Sequence, residues 1–157
     1  METEMTSLTV KTLTITAMIA ALSNVSYAAD APMNVSADGH SVTVSVDGIS
    51  KTEGSIMAAL FDSSGTFLGK DAYAAMRVEV KGTAVSFTYK GLPSGEYAIA
   101  LFQDIDGDGQ LAKNMLGIPV EPYGFSNNAP VRFGPPKWDT AKFTVSVSTA
   151  PQTITLK

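Results

Sequence analysis

Apolar and polar residues alternate in several short runs, the two-residue period of a strand with one buried face. Val42, Val44 and Val46 alternate with Thr and Ser until Asp47-Gly48 ends the run. Val78 and Val80, then Val85, Phe87 and Tyr89, flank Lys81-Gly82-Thr83-Ala84, which reads as a hairpin turn. Tyr97, Ile99 and Leu101 alternate after the turn Gly91-Leu92-Pro93-Ser94-Gly95. Phe143, Val145 and Val147 form a further strand, and Ile154 and Leu156 a last one behind Pro151. Ile56 to Phe61 departs from the alternation: it is continuously apolar, as a central strand covered on both faces would be. Asp71 to Met76 suits a single helical turn, and no amphipathic helix of useful length occurs. The pattern therefore predicts an all-β sandwich of the immunoglobulin or prealbumin kind, with about seven strands.

The pattern lapses between Asp104 and Trp138. This segment holds five of the 13 glycines and five of the eight prolines, so it reads as one elaborated loop rather than as strands. Long loops inside a compact domain are uncommon and frequently functional, because a rigid scaffold can present binding residues on them.

Composition narrows the setting. The 157 residues suggest one domain, and 45% apolar with 17% charged residues is a globular balance. A net charge of −4 without any run of Lys or Arg lacks the footprint of a nucleic-acid binder and argues against docking on anionic lipid. The absence of cysteine excludes disulfides, thiolate metal sites and cysteine nucleophiles. Leu13 to Leu22 is a short stretch of apolar residues and Thr, well below the roughly 20 residues that cross a bilayer but right for the apolar part of an export leader. Ser26-Tyr27-Ala28 places small residues for cleavage after Ala28. Glu2 and Glu4 offset Lys11, against the usual positive start, and initiation at Met5 would remove them. The expectation is a leader over residues 1–28, a single sandwich domain over 29–157, and a periplasmic or secreted product that does not span the membrane.

Candidate chemistry centres on Asp104-Ile105-Asp106-Gly107-Asp108-Gly109-Gln110-Leu111, the first half of a calcium-loop pattern. Carboxylates at alternate positions converge when the chain turns, and the glycine permits the bend. Asp104, Asp106 and Asp108 are the expected ligands, with the backbone carbonyl of Gln110. The second half of the pattern is missing: Ala112 and Met115 stand where further ligands belong. Asn114, Glu121, Asn127 and Asn128 are the additional oxygen donors nearby. The competing reading is an Asp/Gly-rich turn whose carboxylates cap local amides.

The remaining polar candidates are weaker. His40 is the single histidine and reads as a surface turn residue, since no nucleophile or acid partner lies near it in sequence. Ser126 has no adjacent base. Tyr123, Phe125, Phe133 and Trp138 lie in the long loop, either as an exposed ligand surface or as glue between loop and sandwich.

Taken in order, several motifs resemble a bacterial family, domain of unknown function 2141. They are Gly91-Leu92-Pro93-Ser94-Gly95-Glu96-Tyr97-Ala98, Phe102-Gln103-Asp104 through Leu111, Gly117-Ile118-Pro119 with Glu121, Tyr123 through Asn128, and Gly134-Pro135-Pro136. The resemblance runs from about Gly54 to Lys157. It implies an exported bacterial protein with a prealbumin-like sandwich and no assigned activity. The family's acidic loop typically continues as Leu-Asp-x-Asn. Ala112 replaces that Asp while Asn114 is kept, which weakens the calcium reading for this chain.

Function is expected to follow the long loop. The leading expectation is an exported, non-catalytic binding or accessory domain for an envelope protein or glycan, its 104–138 recognition surface stiffened by calcium. One alternative is an envelope glycan or ester hydrolase using Asp104 or Glu121, which needs two carboxylates in a cleft. Another is a structural envelope protein.

Overall fold

The computed structural model describes residues 39–157 except Phe133. The leader expected over residues 1–28, and Phe133 among the loop aromatics, lie outside the described residues.

The alternating valines of the first run form β1 (His40–Asp47), with Val42, Val44 and Val46 facing inward. It is followed by β2 (Ser55–Phe61), β3 (Ala74–Glu79), β4 (Val85–Leu92), β5 (Gly95–Asp104), β6 (Tyr123–Phe125), β7 (Phe143–Val145) and β8 (Gln152–Thr155). The only helix among the described residues is the four-residue α1 (Trp138–Ala141), apart from a 3-10 turn at Ser126–Asn128. One sheet has the order β4-β1-β8; in the other, β3-β2-β5-β6, β7 also pairs with β5. This is the expected all-β sandwich, with eight strands.

Two apolar layers result. Between the sheets lie the valines of β1, Ile56 and Leu60, Phe87 and Tyr89, Ile99 and Leu101, Val145 and Ile154. Outside the second sheet lies another layer, with Met57, Ala59 and Phe61 of β2 and Ala98, Ala100 and Phe102 of β5. Both faces of β2 and β5 are therefore dry, which is why Ile56–Phe61 is apolar throughout. Each large side chain buried this way contributes about 1.5–3 kcal/mol.

Three local expectations are corrected. Residues 81–84 do not close a hairpin, because β3 pairs with β2 while β4 pairs with β1, so the turn crosses between sheets. The helical turn expected over Asp71–Met76 is absent: Ala74 begins β3, where the pairing of Leu60 with Ala74 extends the β2 ladder. The strand containing Phe143 and Val145 stops at Val145, and Val147 stands in solvent.

The long segment also gains an outline. β6 returns antiparallel to β5, pairing Ala100 with Phe125 and Phe102 with Tyr123, so residues 105–122 are a long connection within one hairpin. Past β6, Ser126 fills the gap in the β5 edge between β6 and β7. Its Oγ accepts from the Ile99 amide at 2.8 Å and donates to the Ala141 carbonyl at 2.6 Å. The same 3-10 turn also covers the edge of the other sheet. The Asn128 side chain accepts from the Thr155 amide and donates to the Thr153 carbonyl, blocking the outer edge of β8.

Candidate functional site

The acidic loop begins at the end of β5. Asp104 is fully buried, and its carboxylate accepts backbone hydrogen bonds from Gly107 at 2.9 Å and Gly109 at 3.2 Å. Gly107 and Gly109 take positive φ, which lets the chain curl round that carboxylate. Asp106 accepts from the Asp108 amide and Asp108 from the Gln110 amide at 2.7 Å, two successive Asx turns. Each of the three carboxylates offers an oxygen within 4.8 Å of the others. The sequence-predicted cluster thus comes together, and it is also hydrogen-bonded to its own backbone.

The proposed extra oxygen donors do not join it. Asn127 donates to the Lys142 carbonyl, and the Asn128 side-chain oxygen accepts from the Thr155 amide of β8. Asn114 spends its side-chain oxygen on the amides of Leu116 and Ile118. Met115, where a calcium loop carries its bidentate Glu, is wholly exposed.

Glu121 has a different task. It is 6% exposed, and its two oxygens accept from the Ile105 amide at 2.8 Å and the Ala112 amide at 2.9 Å. One buried carboxylate therefore ties the acidic loop to both ends of the stretch that follows. Packing below is tight: a Cβ on Gly54 would lie 2.0 Å from the Asp104 carbonyl oxygen.

Above this clamp, residues 112–121 form a narrow tip. The Val120 amide bonds the Ala112 carbonyl, Lys113 bridges Pro119, and Asn114 bonds Ile118 and Gly117 through its own amide and carbonyl. The tip is thus closed by hydrogen bonds of its own, yet it buries little. Met115 (104% exposed), Leu116 (78%), Ile118 and Val120 all stand in solvent, four of the six large exposed hydrophobics among the described residues. Lys113 sits at the base, and burial there pushes its ammonium below the ordinary lysine range. Sequence reasoning missed this tip. The signal was present: aliphatic residues inside a Gly-, Pro- and Asn-rich stretch have no periodic partner face to bury them.

The loop aromatics divide. Phe125 is buried in the outer layer, which corrects its place in an exposed ligand surface; the short β6 strand turns it under the sheet. Tyr123 and Trp138 are half-buried. Trp138 meets Phe67 edge-on at 5.6 Å, and Phe67 meets Phe61 of β2 in the same way. These rings join the long segment and the 62–73 connection to the sheet.

His40 Nε2 lies 2.8 Å from Ser94 Oγ, with no acid in the pair. The Ser126 hydroxyl is buried and committed to backbone. A cleft of about 310 Å³ opens beside Arg132, Lys137 and a wall of prolines, with no carboxylate in its lining.

These features describe an all-β sandwich bearing a clamped, apolar-tipped hairpin. The chain belongs to the family of uncharacterised proteins conserved in bacteria, DUF2141, whose model matches residues 44–154. No curated protein and no solved structure matches it.

Proposed function

We propose that the protein is an exported, non-catalytic binding domain that makes contact through the 112–121 tip. The observation that carries this reading is the exposure of four large aliphatic side chains on a stretch closed by its own hydrogen bonds. Exposed apolar clusters mark contact sites, and a tip already ordered before contact avoids the entropic cost of ordering a loop. The acidic loop supports the tip from below. In this reading calcium, held by Asp104, Asp106 and Asp108 with the Gln110 carbonyl, stiffens that support.

The hydrolytic alternative finds less support. Asp104 and Glu121 are buried beneath backbone amides and offer no face to a substrate, and the cleft beside Arg132 and Lys137 has no carboxylate in its lining. Photo-crosslinking in producing cells tests the binding reading, with the reactive group at position 116 or, as a control, at exposed Ser86 on β4. Adducts from position 116 that are absent from position 86 are expected. No adduct at either position, or equal labelling at both, would remove the tip as the contact surface.

A further inference from the structure

We propose that the tip is a membrane-contact element whose aliphatic side chains enter the headgroup–acyl boundary of a bilayer of low surface charge. This rests on the tip being the contact surface and names what it touches.

Four observations favour lipid over a folded partner. The first is area. Four aliphatic side chains offer about 100 Å² each, about 400 Å² together. A specific protein interface takes about 800 Å² from each partner, so the tip alone is too small for a stable protein complex or a dimer. The second is composition. Met115, Leu116, Ile118 and Val120 include no aromatic or Arg, whereas protein hot spots favour Trp, Tyr and Arg and are poor in Leu and Val. The third is shape. Side chains as exposed as Met115 and Leu116 project beyond the body of the protein, where a flat protein surface cannot enclose them but a fluid bilayer closes round them. The fourth is charge. Residues 104–122 carry a single cation, Lys113, so nothing in this stretch draws it to a strongly anionic surface. Lys113, the one cation of the tip, has an aliphatic stem long enough to leave its ammonium at the phosphates while its neighbours go deeper. No helix among the described residues is long and apolar enough to cross a membrane, so this contact is peripheral.

The test is flotation of the purified protein with phosphatidylcholine vesicles, and with vesicles that also contain phosphatidylglycerol, at low and high salt. Flotation with phosphatidylcholine, unchanged by salt and no stronger with the anionic lipid, is expected. Leu116→Ser with Ile118→Ser should lower partition about tenfold or more while the unfolding midpoint holds, since both side chains are exposed. Independently, Leu116→Trp in a Trp138→Phe background should be quenched by brominated phosphatidylcholine. Absence of flotation, flotation abolished by salt, or a Trp at 116 untouched by brominated lipid overturns the proposal. If position 116 crosslinks to a protein while vesicles do not bind, the lipid inference fails and the binding reading stands. If neither happens, both fail.

Discussion

Glu121→Ala is the most informative single substitution, because one side chain holds two backbone amides in a dry place. Hydrogen bonds to a charged group contribute about 1.5–3 kcal/mol each, and a buried amide left without a partner costs about 1–3 kcal/mol. Glu121 satisfies Ile105 and Ala112 at 2.8 and 2.9 Å while 6% exposed, so water does not replace it readily. Losing both bonds is expected to cost about 4 kcal/mol. In a fold of this size that lowers the thermal midpoint by about 15 °C. Glu121→Gln keeps one acceptor and turns an NH2 towards the other amide, so about half the loss is expected. Hydrogen exchange locates the effect: the Ile105 and Ala112 amides should exchange much faster, with little change at Leu101 in the middle of β5. A midpoint within about 4 °C of the parent, or loss of protection spread evenly over the sandwich, would refute the clamp.

Other expectations follow from single contacts. Gly54→Ala forces a Cβ onto the Asp104 carbonyl at a φ of +72°, and should cost about 3 kcal/mol or more, read as a lower urea midpoint at unchanged slope. Tyr97 has its phenol pushed above 10.0 by burial, then by the neighbouring Tyr73 and Asp62. The folded state thus holds that proton more tightly than the unfolded chain. Its contribution is whole below pH 10.0 and lost as pH rises through the folded-state value. Tyr97→Phe should flatten this alkaline fall in stability, and an unchanged alkaline limb would clear Tyr97 of the effect. If Asp104, Asp106 and Asp108 hold calcium, unfolding in calcium against EDTA should show stabilisation of about 2.7 kcal/mol at a hundredfold excess over Kd, abolished by Asp106→Ala or Asp108→Ala. A midpoint indifferent to calcium leaves the loop a set of Asx turns.

The sandwich was legible where burial imposes a period. Val42, Val44 and Val46 alternate because one face of β1 is wet, and Ile56–Phe61 does not because β2 is covered twice. Pairing was less legible. A polar turn such as residues 81–84 looks alike whether it joins neighbours or crosses between sheets, since the partner strand lies far away in sequence. β6 and β7, at three residues each, are too short to show any period. At the site, the convergence of Asp104, Asp106 and Asp108 could be read from spacing alone, because a single turn brings them together. The reach of Glu121 could not, because its partners are backbone amides that no residue type advertises. Asn114 was picked out as an oxygen donor; the structure shows it spending that oxygen on its own turn.

The clamp at Glu121 also bears on how such a protein can change over generations. Both ends of the 113–120 stretch are held by backbone pairing and one carboxylate, and its large aliphatic side chains are more than half exposed. Exchanging Met115, Leu116, Ile118 or Val120 therefore leaves the stability of the sandwich nearly untouched. Selection for what the tip touches can act there without competing with selection for folding, and descendants of this chain are free to acquire new surfaces while inheriting the same scaffold.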